Sequence, residues 1–168
     1  MTASPALFFQ GGKLVAWRLD ERRFSPAWDG GEGAFLAGGR WNGPGVRAVY
    51  CSTDPSTAIL EVAVHKGFES LDLVPHTLTA MTIIDEDAIQ VVDPADVPNA
   101  NWLRPAPPSA GQQTFGDELL RAHKFVLLPS VVAPHSWNLI FVAANAAGAY
   151  TLTSQEAFAL DTRLNRGR

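Results

Sequence analysis

At 168 residues with 46% hydrophobic content, the chain has length and apolar mass for one core and little room for a second of independent stability. Fourteen glycines and twelve prolines stay well short of a disordered composition. A formal net charge of −4 offers no general attraction to a phosphate backbone, which argues against polymeric nucleic acid as a ligand, and 18% charged residues is low enough to predict apolar surface covered by a protein partner, a second copy, or both.

The single cysteine, Cys51, excludes an intrachain disulfide, and MTASPALFFQGG lacks the basic start and long apolar core of a signal peptide, so a cytoplasmic address is expected. In chain order, residues 14–19 (LVAWRL) alternate weakly and predict a strand, followed by a loop dense in Gly, Pro and Asp from Asp20 to Gly39. GGRWNGPG (38–45) leads into a buried strand at 46–51. Asp54 ahead of Pro55 reads as an N-cap with proline at the first helical position, and Gly67 as a stop, giving a helix over about 54–66. On it Ile59, Val62 and Ala63 share one face, while Thr57, Glu61 and His65 recur every four residues on a polar stripe.

Strands are predicted at 76–84 and 88–92 around the acidic turn Asp85–Glu86–Asp87, then a Pro-rich loop over 99–111 and a short helix over 113–123. The apolar tract from Phe125 to Tyr150 is broken by Pro129, Pro134, His135 and Asn138, so it is no membrane span but two buried strands, 125–133 and 138–145, with Pro129 confining the first to an edge or a bulge. Few strands are joined by helices, and there is no internal repeat. The expectation is a single α+β domain spanning 1–168, with a mixed central sheet and flanking helices.

Three polar residues surround one strand-and-helix unit: Arg40 before the strand, Tyr50 at its end and Glu61 on the following helix. Chemistry at the nicotinamide ribose of NAD needs such parts. An arginine fork matches a diphosphate, an aromatic ring stacks, and a carboxylate stabilises an oxocarbenium-like centre as nicotinamide leaves. Each residue also has an ordinary reading. Arg40 would pair with Asp29 or Glu32, Tyr50 would be a half-buried strand residue, and Glu61 would belong to a solvated helix face. Cys51, next to Tyr50 on a strand, should point away from it and be inert. Histidines 65, 76, 123 and 135 lack ligand spacing, so no metal is expected. Trp41, inside the glycine-rich loop, is a candidate pocket wall.

WRL at 17–19, GGRWNGPG at 38–45, AVYCS at 48–52, Glu61 eleven positions after Tyr50, LLPSVVAP at 127–134 with Asn138, and FALDTRL at 158–164 together resemble the RES domain family over most of the chain. NLIFVAAN, from Asn138, stands where that family usually has an NxLINP-like stretch. The resemblance implies a fold related to the ADP-ribosyltransferase toxins, binding of NAD, and toxicity through its phosphorolysis or hydrolysis, with ADP-ribose transfer to a protein as the alternative. It places the family's arginine, tyrosine, glutamate and serine on Arg40, Tyr50, Glu61 and Ser130, and a further arginine on Arg18. Arg18, Arg40, Trp41, Tyr50 and Asn138 are then the expected NAD-binding set. Inorganic phosphate is the expected co-substrate, and a helix-turn-helix antitoxin of Xre type the expected partner.

Overall fold

The computed structural model describes residues 9–10 and 13–165. Its elements are β1 (Phe9–Gln10), β2 (Lys13–Glu21), α1 (Glu32–Ala37), β3 (Ala48–Ser52), α2 (Pro55–Leu73), β4 (His76–Ile83), β5 (Ile89–Val91), α3 (Ala110–Ala122), β6 (Phe125–Pro129), β7 (Trp137–Val142) and β8 (Tyr150–Phe158). Short 3-10 turns fill several connections, at Arg22–Ala27 and Ala100–Leu103 among others. The strands form one mixed sheet in the order β5-β6-β7-β3-β2-β4-β8, with β1 added on β2. Only β5 and β6 run parallel.

The sheet is nearly divided. β2 lies against β4 over seven residue pairs, from Val15↔Thr82 to Glu21↔His76, and β3 against β7 over five, yet β2 meets β3 at the single pair Trp17↔Ser52. One face is continuous across the division: Leu14, Ala16, Met81 and Ile83 from one half pack with Val49, Cys51, Phe125, Leu127, Leu139 and Phe141 from the other, under Trp28. At roughly 1.5–3 kcal/mol for each large side chain withdrawn from water, this cluster holds the halves together where backbone pairing does not. The opposite face carries two separate clusters. Trp41, Val126, Leu128, Ile140 and Leu120 lie on the β6–β7–β3 half with α3, and Leu19, Ala63, Leu71 and Leu78 lie on the β2–β4 half with α2.

The helix after β3 begins as expected, with the Asp54 side chain accepting from the Thr57 N–H, but it runs further than 54–66. Gly67 takes φ 78° and breaks the helix, which resumes to Leu73. The loop expected over 20–39 contains a 3-10 turn and α1, and α3 starts at Ala110 behind the cap Ser109, three residues earlier than predicted. The strand predicted over 125–133 ends at Pro129 and is not an edge: β6 lies between β5 and β7. β5 stops opposite Leu127, so the missing proline N–H faces no neighbouring strand. β8 was not expected. Thr151 to Ala157 are exposed along its length, so it has no apolar alternation to read. Among the described residues, no helix is long and apolar enough to cross a membrane.

Candidate active site

The division of the sheet, between the two clusters on one face, is where the polar residues converge. Strand alternation puts Tyr50 and Ser52 of β3 on the same face as Asn138 and Ile140 of β7, their cross-strand partners. The polar stripe of α2 runs from buried Thr57 through half-buried Glu61 to exposed His65. Its apolar face, Ile59, Val62 and Ala63, packs on the β2–β4 half. Glu61 is thereby turned toward the other half.

There its Oε1 accepts two hydrogen bonds, from Asn138 Nδ2 at 2.7 Å and from Ser130 Oγ at 3.1 Å. Asn138 is in turn fixed by Ser52, whose Oγ donates to Asn138 Oδ1 at 3.2 Å. Ser130 Oγ accepts from the Ala133 N–H at 3.1 Å. Two charge-assisted bonds on one oxygen fix the carboxylate's orientation and leave Oε2 without a protein donor among the described residues. A solvated helix-face glutamate has no such clamp.

Arg40 sits on a tight turn closed by the Gly39↔Asn42 bridge. Its guanidinium donates to backbone carbonyls of the Pro-rich segment: Nη1 to Trp102 and Arg104 at 3.4 Å each, and Nη2 to Ala106 at 3.1 Å. Neither carboxylate proposed as an ordinary partner is engaged with it. Asp29 accepts from the Tyr150 hydroxyl, and Glu32 pairs with Arg47. Burial lowers the Arg40 pKa, opposed chiefly by the Glu61 carboxylate, so the cation is partly stripped of water, and among the described residues no carboxylate hydrogen-bonds to it.

Tyr50 carries the loop rather than offering its hydroxyl. The phenol donates to Asn42 Oδ1 at 2.7 Å and accepts from the Trp41 N–H at 2.9 Å. Burial pushes its pKa well above the ordinary tyrosine range, against the Trp41 N–H. A Cβ on Gly39 would lie 2.6 Å from that hydroxyl, so the tyrosine tip needs the glycine to approach. Asn42, fully buried, donates Nδ2 to the carbonyls of Ala34, Gly43 and Val46.

Trp41 does not wall an open pocket. Its ring is 1% exposed and packs edge-on to Phe115, because α3 closes over the loop at Gly116. Arg18 bridges the division of the sheet: Nη1 donates to the Tyr50 carbonyl at 2.9 Å and Nε to Asp20 at 2.8 Å. It satisfies a strand carbonyl that β2 leaves unpaired, and its Nη2 makes no protein hydrogen bond among the described residues. Cys51 is buried in the continuous core on the face away from Tyr50, and burial pushes its thiol up to about 12.

Sequence reasoning missed the residues that hold the loop from α3. Gln113 Nε2 donates to the Gly39 carbonyl at 3.0 Å, Asp117 accepts from the Gly43 N–H, and Gln112 Nε2 reaches the Trp102 carbonyl. The two contacts to the loop, from Gln113 and Asp117, cross 74 residues and leave no local pattern, whereas Gln112 holds Trp102 of the Pro-rich segment. Next to the loop, a groove of about 390 Å³ lined by Phe35, Val46, Arg47, Leu120 and Arg121 includes none of Arg40, Tyr50, Glu61, Ser130 and Asn138.

The RES domain family model matches residues 15–161, from within β2 to beyond the end of β8. The chain belongs to the RES domain family. A relative named Toxin Res, from Photorhabdus laumondii, is 30% identical over 159 residues, covering 92% of this chain and 99% of that protein. Another, named Prs ADP-ribosylating toxin, from Sphingobium, is 31% identical over 135 residues, covering 77% of this chain and 82% of its own. A chain of the crystal structure of the M. tuberculosis MbcT–MbcA toxin–antitoxin complex superposes with a TM-score of 0.67 at 17% identity, over 88% of this chain and 85% of that one. The α+β fold with a mixed sheet is thus shared with a chain of that toxin–antitoxin complex.

Proposed function

We propose that this RES chain is the toxin of a toxin–antitoxin pair and arrests growth by breaking the nicotinamide–ribose bond of NAD. The observation that carries the reading is the Glu61 carboxylate, held on Oε1 by Ser130 and Asn138 with Oε2 free, in the electrostatic reach of a partly desolvated Arg40. In this reading Arg40 holds the diphosphate, and Arg18 lends its remaining Nη2 to the same charge. The Tyr50 ring walls the nicotinamide end. Trp41 and Asn138 act through the loop and the carboxylate that they hold.

As the C1″–N1 bond breaks, its electron pair passes to the pyridinium nitrogen and nicotinamide leaves neutral. Glu61 faces the positive charge that develops on the ribose, and a carboxylate already fixed by two donors reorganises little as that charge appears. A phosphate oxygen then forms the new bond to C1″, giving ADP-ribose 1″-phosphate. Water in the same place gives ADP-ribose and releases a proton. Phosphate is the favoured co-substrate, since two arginines near the ribose accommodate a further anion.

Purified chain incubated with NAD, with and without phosphate, and products identified by mass, tests the reading. NAD left intact by folded protein refutes it, and equal loss with and without phosphate leaves hydrolysis in place of phosphorolysis. The name of the Sphingobium relative favours ADP-ribose transfer to a protein as the second reading. Label from NAD appearing on a protein band decides for it. The partner proposed is a helix-turn-helix antitoxin of Xre type acting in the cytoplasm, where NAD is plentiful. Self-association accounts equally for exposed Leu36, Leu73 and Ile84.

A further inference from the structure

A second polar cluster lies at the N-terminus of α2, away from the proposed NAD contacts. Asp54 Oδ1 accepts from the Thr57 N–H at 2.8 Å, which caps the helix. Its Oδ2 accepts from the Thr57 hydroxyl at 2.7 Å and from the Ser136 hydroxyl at 2.6 Å, and those hydroxyls lie 2.7 Å apart. Two protons serve three contacts, so the three oxygens form one closed unit. Capping alone needs only Oδ1.

Ser136 belongs to the connection between β6 and β7, and its backbone carbonyl accepts from the Ser130 N–H at 2.9 Å. The Ser136 N–H donates to the Ala133 carbonyl, and Ala133 donates to Ser130 Oγ. From Asp54 the bonds therefore run through Ser136 to Ser130, and from Ser130 Oγ to Glu61 Oε1. Independently, His135 next to this joint takes φ 68°, a left-handed conformation that a non-glycine residue keeps only when its surroundings hold it.

We propose that Asp54 is a positioning residue for the proposed NAD site, a single carboxylate that caps the helix bearing Glu61 and ties to it the loop bearing Ser130. Burial pushes the Asp54 carboxyl up, but the Ser136 and Thr57 hydrogen bonds outweigh it and hold it below the ordinary carboxylate range, so the joint stays charged at neutral pH. The inference rests on Glu61 being the acting carboxylate.

Two substitutions separate holding from capping. Asp54→Ser keeps a good N-cap but is too short to reach Ser136. Ser136→Ala leaves the cap untouched and removes only the tie. Each should lower kcat for NAD consumption about tenfold, because displacing a catalytic group by an ångström costs up to about a hundredfold. KM for NAD should stay within about threefold and melting within a few degrees. The double variant should be no slower than the slower single, and Ser136→Thr should recover most of the rate. Wild-type kcat in both singles, or a loss confined to KM, overturns the positioning role. Glu61→Gln serves as the control: if it is inactive while Ser136→Ala is fully active, only this inference falls. If Glu61→Gln turns over at the wild-type rate, the site reading falls with it.

Discussion

Replacing Arg40 with alanine separates an arginine that braces a loop from one that binds an anion. The bracing contribution is small on geometric grounds. Of its three contacts to the Pro-rich segment, those at 3.4 Å lie outside the well-formed range and one, to Ala106, is 3.1 Å. One good bond is worth roughly 0.5–1.5 kcal/mol net, and relief of the cation's desolvation offsets part of it. The apo protein should therefore lose no more than roughly 2–4 °C in melting temperature. Charge-assisted bonds to a diphosphate are worth about 1.5–3 kcal/mol, so kcat/KM for NAD should fall roughly tenfold to a hundredfold. Arg40→Lys should fall between alanine and wild type, since it keeps the charge and loses the planar fork. Mass-resolved NAD consumption and differential scanning fluorimetry read both effects. NAD turnover at the wild-type rate in Arg40→Ala, or a melting loss above about ten degrees, refutes the reasoning and makes Arg40 a structural strut.

Gly116→Ala should be among the most damaging substitutions, because its Cβ would lie 1.9 Å from the Trp41 carbonyl oxygen. Backbone cannot step aside as a side chain can, so a cost of roughly 1–3 kcal/mol or more is expected in denaturant melts, and a neutral Gly116→Ala would show that α3 does not close on the loop. Both tyrosines have pKa values raised by burial, Tyr150 also by its bond to Asp29, so folded protein should show little phenolate absorbance near pH 10. A folded pKa above the unfolded one stabilises below about pH 10 and loses that contribution as pH climbs toward the folded value, so stability should decline through that alkaline window. Ordinary titration of both phenols in the native state would contradict the packing of Tyr50. The Cys51 thiol, raised to about 12 by burial, should react with a disulfide reagent only after unfolding, and prompt reaction of the native chain would place it at the surface.

The part of the candidate site that could be read from sequence pattern is its local part, whereas Ser130 and Asn138 came from the resemblance. Asp54 ahead of Pro55 fixes the start of α2, and the four-residue stripe then fixes which way Glu61 faces. The period of β3 likewise separates Tyr50 from Cys51. The role of Trp41 was not legible, since whether an indole in a glycine-rich loop faces a ligand or the core depends on α3, whose Gly116 arrives some 75 residues later. Arg18 was placed by resemblance alone, and its bridge to the Tyr50 carbonyl exists only because β2 and β3 diverge beyond one residue pair. β8 escaped because a strand exposed on both faces leaves no alternation. Pro129 misled in the other direction: a proline rule that presumes neighbours along the whole strand fails where β5 ends early.

The order in which the chain is made bears on when the site can exist. β3 and α2 leave the ribosome early, but Tyr50 pairs with Ile140, and the donors that hold Glu61 lie 69 and 77 residues downstream, at Ser130 and Asn138. At synthesis rates of about 5–20 residues per second, that separation delays the clamp by roughly 4–15 s after Glu61 is added. A nascent chain that stops short of Ser130 carries Arg18, Arg40, Tyr50 and Glu61 without either donor that holds the carboxylate. Under the proposed reaction on NAD, this long-range closure sets activity back by those seconds after Glu61 is made, whatever the state of β3 and α2.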